Sequence, residues 1–366
     1  MKLPEAPEYV RAIAPYVPGK PIAETARELG LAEDDILKMA SNESPLGASP
    51  KALAAIRGAL DVLHYYPDGS GYELKNALAR RLGVKPDNLV LGNGSNDVLE
   101  LVARAYLRPG DSAVYSQHAF MVYPLAVQAI GATGIVVPAR GYGNDLAAMA
   151  AAVRADTRIV FVANPNNPTG TFNPWAEVRA LLESVPASVL VVVDEAYEEY
   201  LPDALRSPTT AWLARFPNLV ISRTLSKAYG LAGLRVGYVI ADPAVAEVMN
   251  RVRQPFNVNH LAMVAACAAL EDAEFIAKTR ANNAAGLAQL EAGFKALGLE
   301  YIPSHGNFIT VRVAEADRVY RELLKQGVIV RPIAGYGMPG HLRVTVGLPE
   351  QNARFLAALE RAIGKR

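Results

Sequence analysis

The chain has 366 residues, with 37 Lys+Arg against 36 Asp+Glu and a formal net charge of +1. That balance, with no run of basic residues, leaves no electrostatic footprint for a nucleic acid or an anionic membrane, so small molecules are the expected partners. The length suits one large domain plus a smaller one, and a single cysteine, Cys267, excludes an intramolecular disulfide, a Cys-based zinc site and an iron-sulfur cluster, as befits a reducing, cytoplasmic setting.

The N-terminal stretch MKLPEAPEYVRAIAPYVPGKP lacks the apolar core of a signal peptide, and charges or prolines interrupt every apolar run before it reaches membrane-spanning length. From about residue 74, helical patterns alternate with short runs rich in valine and isoleucine. NLVLG (88–92), SAVYS (112–116), GIVVP (134–138), RIVFVA (158–163), VLVVVD (189–194), NLVISR (218–223) and RVGYVIA (235–241) all have strand length. Most are apolar on both faces, which predicts an α/β domain with a mostly parallel seven-stranded sheet covered by helices on both sides. After RQPFNVNH, an Ala-rich helical segment (261–298) leads into NFITVRV, GVIVRP and HLRVTVG between amphipathic helices, a smaller α+β unit. The expected division is an arm and part of the small unit at 1–40, the large domain at 41–255 and the small domain at 256–366.

Open parallel sheets bind ligands beyond the carboxyl ends of their strands, so chemistry is sought in the loops that follow them. GNGSND (92–97) joins a strand to the predicted helix SNDVLELVARAY, placing free backbone N–H groups where they favour an anion such as phosphate. An ordinary capped turn fits the same residues. A G-x-G-x-x-G reading fails because Asp97 stands in place of the third glycine, and no Gly-Lys-Ser/Thr follows for a phosphate-binding loop of the Walker type.

Asp194 ends the most apolar strand, so its carboxylate stays ionised only if something cationic or donating meets it; a helix-capping aspartate is the plainer reading. NPNNPTG (164–170) is turn chemistry, doubled directly after a buried strand. Lys227 in RTLSKAYGLAGLR (223–235) would be a solvated loop lysine if it stood alone. Held near Arg235 and away from water, its pKa falls and the amine becomes a nucleophile toward an aldehyde. An aldehyde, a phosphate, a ring nitrogen and a phenolic oxygen are together the needs of pyridoxal phosphate.

APYVPGKP, SNESPLG, YYPDG, NPNNPTGT, DEAY, TLSKAYGLAGLRVGY and HLRVTVG run in order through nearly the whole chain. In this they resemble fold-type I pyridoxal-phosphate aminotransferases, and within them the histidinol-phosphate aminotransferases. The resemblance implies that Lys227 carries the cofactor as a Schiff base and moves the proton at the substrate Cα, while Asp194 pairs with the pyridine N–H and Asn167 and Tyr197 hydrogen-bond the phenolic oxygen. It further implies a phosphate cradle of Gly94, Ser95, Asn96, Thr224, Ser226 and Arg235. Tyr66 matches a tyrosine that reaches the phosphate from a second subunit, which requires a homodimer.

Phe120 stands where many relatives stack a tyrosine on the ring; for Phe120 and for Tyr123, core packing is the ordinary fate of an aromatic. Arg343 matches the arginine that grips the carboxylate of the amino-acid donor, and Arg331, Tyr16 and Asn42 match residues near the far end of the substrate. The implied reaction is a ping-pong exchange of an amino group between glutamate/2-oxoglutarate and imidazole-acetol phosphate/histidinol phosphate. Transamination of phenylalanine or tyrosine keeps the same mechanism, and decarboxylation of a phosphorylated amino acid uses the same motifs. A cofactor-sensing regulator would need a DNA-binding domain, for which the roughly 40 residues before the large domain are too few.

Overall fold

A computed structural model of the chain describes residues 4–15 and 19–364. Seven strands, β1 (Leu89–Gly92), β2 (Ser112–Ser116), β3 (Thr133–Val137), β4 (Thr157–Ala163), β5 (Leu190–Asp194), β6 (Leu219–Thr224) and β7 (Gly237–Ala241), form one sheet in the order β1-β7-β6-β5-β4-β2-β3. These are the seven apolar runs of the sequence, with ends that agree to within two residues. β2 to β6 are mutually parallel, and β7 alone runs antiparallel to both of its neighbours, β1 and β6.

The lack of alternation in β5 has a direct cause. Val191 and Val193 belong to one hydrophobic core, and Leu190 and Val192 to the core on the opposite face. A strand with no wet side must be apolar throughout, which is what LVVV provides.

Among the helices that supply these cores are α1 (Pro50–Gly58), α2 (Ser95–Tyr106), α3 (Val122–Ala129), α4 (His260–Leu270) and α5 (Ala273–Ala296). α2 and α3 cover one face through Val98, Leu99, Tyr123 and Val127. α1 and α4 cover the other through Ala52, Ala262, Ala265 and Ala266. The Ala-rich segment assigned to the second unit from sequence is thus two helices, and the first of them packs into the core of the first unit. Asp272 marks the break: its carboxylate accepts the Phe275 N–H at 3.2 Å, capping α5, and the Ser49 hydroxyl at 2.6 Å.

The second unit is a small antiparallel sheet of β8 (Tyr301–Ile302), β9 (Phe308–Arg312), β10 (Arg331–Pro332) and β11 (His341–Thr345), in the order β10-β11-β9-β8. Ile309, Val311 and Val344 pack under α5, α6 (Ala316–Lys325) and α7 (Pro349–Ala362), through Phe294, Val319 and Phe355 among others. Leu37 and Met39 from the N-terminal segment join this core. A short parallel pairing of Leu37–Lys38 with Val328–Ile329 fixes them there. Residues 37 to 39 therefore lie on the small unit, residues 40 to 43 cross the joint where both units meet, and ahead of them the segment around Tyr9 lies on the large unit, where Gln128 Nε2 donates to the Tyr9 carbonyl at 3.2 Å.

Candidate active site

A cavity of about 210 Å³ lies at that joint, beyond the carboxyl ends of β4, β5 and β6. The large unit contributes Asn167, Asp194, Tyr197 and Lys227 to its wall, and the small unit contributes Arg331, Tyr336 and Arg343. Its charged lining is one lysine and three arginines, Lys227, Arg235, Arg331 and Arg343, against one carboxylate, Asp194. A desolvated wall with that excess of positive charge calls for an anionic occupant.

Asp194 ends β5 with 5% of its surface exposed. One oxygen accepts the Tyr123 hydroxyl at 2.8 Å, while the other, Oδ1, is buried with no hydrogen-bond partner. Burial pushes the carboxyl up to about 6, against the pull of the Tyr123 hydrogen bond. A buried, half-satisfied carboxylate is costly, and an N–H presented to Oδ1 would remove that cost.

Lys227 follows β6, and its Nζ donates to the Ser41 carbonyl at 3.1 Å. Burial, then the nearby Arg343 guanidinium, and then Arg235 draw the amine down to about 8. The sequence points to Arg235 alone as the charged neighbour. Arg343 acts more strongly here, and it comes from the other unit.

Asn167 and Tyr197 line the same cavity as this amine. Asn167 Oδ1 accepts from Arg343 Nη1, and Arg343 Nη2 donates to the Ala40 carbonyl at 2.8 Å, with the guanidinium 5.4 Å from the Phe308 ring centroid. Asn42, in a left-handed conformation with φ 55°, donates through Nδ2 to Tyr197 Oη at 2.8 Å. Burial pushes the Tyr197 phenol up to about 12, so it remains a donor. Asn42, expected near the far end of the substrate, thus acts on Tyr197.

At the opposite wall, α2 begins with Ser95 and Asn96 facing the cavity and Gly94 as its N-cap, which makes no side-chain capping bond. A Cβ on Gly94 would strike the Arg235 guanidinium, and one on Gly237 would lie 2.5 Å from the Ser95 nitrogen. The two glycines therefore let Arg235 and β7 close on the helix terminus. Arg235 Nη1 donates to Ser226 Oγ at 3.3 Å, and Thr224 Oγ1 accepts the Ser226 N–H at 3.1 Å. Asp97 is turned aside: its Oδ2 is held by the Asn93 N–H at 2.8 Å and by Asn257 Nδ2 at 2.9 Å. Neutral donors and an arginine at a helix N-terminus make an anion site.

On the small sheet, Arg331 and Arg343 are cross-strand partners. Like charges placed opposite one another are unfavourable unless an anion lies between them or nearby. Arg331 also lines a second cavity of about 730 Å³, beside Lys20, Met121 and Tyr320, that opens next to the first.

Phe120 lines the central cavity, with its ring edge-on to Tyr123 at 6.0 Å. Tyr66 is not in this wall: it is 83% exposed and stacks on Phe256 at 4.8 Å. Tyr16 lies outside the described residues. Ser41, Tyr123 and Tyr336 take part without having been singled out as site residues. Only Tyr123 carried a signal, a phenol three positions after Phe120.

With this geometry the chain is an α/β enzyme of the aminotransferase type. Residues 34–359 match the family of class I and II aminotransferases, and the chain belongs to it. It is 64% identical to histidinol-phosphate aminotransferase 1 of Thiobacillus denitrificans, across 97% of this chain and 92% of that protein. Histidinol-phosphate aminotransferase 2 of Nitrosospira multiformis is 59% identical, across 98% and 92%. The crystal structure of histidinol-phosphate aminotransferase from Sinorhizobium meliloti in complex with pyridoxal-5'-phosphate superposes with a TM-score of 0.91 at 28% identity, covering 99% of this chain and 98% of that one. A double mutant of Thermus thermophilus aspartate aminotransferase shares the fold, with a TM-score of 0.85 at 24% identity over 98% and 100%. The fold-type I architecture and the aminotransferase family inferred from the motifs are both found.

The state of Lys227 can be checked in the cofactor-free protein. An amine reacts with an aldehyde only when deprotonated, so the rate of aldehyde capture by Lys227 should rise with pH through a midpoint near 8. A midpoint near the ordinary lysine value of 10.5 would contradict the buried, cation-flanked geometry.

Proposed function

We propose that the chain is a histidinol-phosphate aminotransferase that uses pyridoxal phosphate to exchange an amino group between glutamate/2-oxoglutarate and imidazole-acetol phosphate/histidinol phosphate. The observation that carries this is the buried Lys227 amine in one cavity with the partnerless Oδ1 of Asp194, in a chain 64% identical to a protein of that name. The donor set fits the cofactor: an amine for its aldehyde, a carboxylate oxygen for its ring N–H, phenol and amide donors for its phenolic oxygen, and an anion site for its phosphate. Once bound, pyridoxal phosphate supplies an aldehyde for amine exchange and a ring that accepts the electron pair left when the substrate Cα loses its proton.

The chain's residues then have separate tasks. Lys227, neutral above a pKa of about 8, attaches the cofactor and afterwards takes and returns the proton at the substrate Cα. Asp194 holds a proton on the ring nitrogen, while Tyr197 and the amide of Asn167 hold the phenolic oxygen. Gly94, Ser95, Asn96, Thr224, Ser226 and Arg235 receive the phosphate, and Phe120 packs on the ring. Arg343 binds the donor's carboxylate with its planar fork, and its bond to Asn167 links that task to the cofactor. Arg331 meets the anionic far end of the substrate, a phosphate in one half-reaction and a carboxylate in the other. Tyr16 is assigned to the same end on its motif alone.

We assign Tyr66 to the phosphate site of a second subunit in a homodimer. Its exposed ring stacks on exposed Phe256, and Leu60, Leu63, Tyr65 and Tyr72, close to it in the chain, are exposed as well, apolar surface suited to a partner copy. The single cysteine and the biosynthetic substrates suit a cytoplasmic enzyme.

Steady-state kinetics with histidinol phosphate, phenylalanine and tyrosine as alternative donors test the substrate. Histidinol phosphate should lead in kcat/KM by at least an order of magnitude, and the reverse order would replace this assignment with an aromatic aminotransferase. Sharing of the site is tested by mixing two inactive variants, Lys227→Ala and Tyr66→Ala. In a hybrid dimer one of the two sites recovers both native residues, and random exchange of an equimolar mixture makes half of the dimers hybrids, so activity should return toward about a quarter of wild type; no recovery would place Tyr66 outside the neighbouring site.

A further inference from the structure

Tyr123 reads from sequence as a core aromatic, and its ring is one. It is 1% exposed in α3 and stacks on Phe161 at 4.7 Å with an interplanar angle of 8°. Phenylalanine would satisfy that packing equally well. The hydroxyl is therefore what needs explaining, because a buried O–H is retained only where it has a partner. Its partner is Asp194 Oδ2 at 2.8 Å.

We propose that Tyr123 is a positioning residue acting through Asp194: by donating to Oδ2 it aims Oδ1 at the cofactor's ring nitrogen and keeps the carboxylate anionic, so that the proton stays on the ring. The proposal rests on the reading of Asp194 as the partner of that nitrogen. Three features of the structure support it. The ring of Tyr123 is fixed by Phe161 and by helix α3, so the hydroxyl reaches the carboxylate from one direction only. Oδ1 is left partnerless on a residue that lines the cavity, as an aimed acceptor would be.

The third feature is that Tyr123 is the strongest help the carboxylate has: the Ala196 N–H and the nearby Ser222 hydroxyl also favour the charged form, each less than Tyr123 does. Among the described residues Asp194 forms no ion pair. Its neighbour Glu195 is engaged elsewhere, 2.7 Å from Arg223, and adds only repulsion. Tyr197 is tied to Asn42, and Lys227 to Ser41. Burial, followed by the charge of Asp194, holds the Tyr123 phenol well above its ordinary value, so it donates at any working pH. Burial already raises the carboxyl with that donor in place; without it the balance moves further toward the neutral acid, which would draw the proton away from the ring. The start of α3 and the residues just before it would thus serve the cofactor twice, Phe120 against its ring and Tyr123 behind its counter-charge.

The test is Tyr123→Phe in the full-length holoenzyme loaded with pyridoxal phosphate labelled with 15N in the ring. The variant keeps the stack on Phe161. We expect the 15N chemical shift to move from the protonated toward the neutral pyridine value, with kcat lowered roughly tenfold and KM for each substrate within about twofold. An unchanged 15N shift overturns the proposal whatever happens to kcat, since packing damage alone does not deprotonate the ring. In a double-mutant cycle, Tyr123→Phe should cost nothing further in an Asp194→Asn background, and an additive loss overturns the coupling. Should Tyr123→Phe fail to fold, Asp194→Asn in the same chain should restore folding by removing the uncompensated charge; no restoration also counts against the proposal. A wild-type holoenzyme with a neutral ring would defeat the assignment of Asp194 itself. A protonated ring in both wild type and variant defeats only the role of Tyr123.

Discussion

A buried carboxylate with one unused oxygen governs the chemistry of this molecule. β5 carries Asp194 to the end of a strand whose preceding four residues are wholly apolar, and the sheet leaves the side chain almost no contact with water. Ionising it there is unfavourable, and Tyr123 offsets only part of that cost. The remainder falls to a ligand with a protonated nitrogen. The opposite imbalance surrounds it, because Lys227, Arg235, Arg331 and Arg343 crowd the same cavity. A ligand with a cationic ring atom, an electrophilic carbon and anionic ends would satisfy both imbalances together, and the cavity's charges thereby describe the cofactor and substrate pair. A ligand of that kind should also hold the folded state together, since it binds only where these groups have been assembled.

The second constraint is that the site belongs to two units. The loop after β4 holds the small unit directly: Thr310 Oγ1 donates to the Pro168 carbonyl at 2.6 Å, and the His305 N–H donates to the Gly170 carbonyl at 2.9 Å. A Cβ on Gly170 would fall on Ser304, and its φ of 78° suits glycine. Nearby, Asn307 Nδ2 donates to the Asn42 carbonyl at 2.9 Å, so the residue that holds Tyr197 is itself held from the small unit. His118 Nδ1 meets the Tyr336 carbonyl at 2.7 Å across the same joint. Through these contacts Arg343 keeps its place beside Asn167 and Lys227. The asparagines and prolines after β4 are thus the fitting that joins substrate recognition to the cofactor pocket.

Much of this was legible in the sequence, for reasons that differ from residue to residue. The seven strands were visible because burial on both faces removes polar residues from them, and Lys227 and Asp194 stood out as ionisable groups in surroundings that disfavour charge. What was hidden depends on distance along the chain or on register. Asn42 reaches Tyr197 across 155 positions, and the pairing of Arg331 with Arg343 follows from the alignment of two strands that no local pattern fixes. Tyr123 was hidden because an aromatic in an apolar helix reads as core, although its hydroxyl has a separate role. The placement of α4 against α1 was hidden because an alanine-rich helix shows no preferred face. The role proposed for Tyr66 depends on a second chain, so it is read from motif and exposure.

The most direct measurement is a single half-reaction. Cofactor-loaded protein is mixed with histidinol phosphate in the absence of any 2-oxo acid, and the absorbance of the lysine-bound cofactor is followed. This absorbance should be lost as imidazole-acetol phosphate forms in equal amount to the chains present, and 2-oxoglutarate should restore it with release of glutamate. Unchanged absorbance, or carbon dioxide in place of the oxo product, would contradict the proposed transamination.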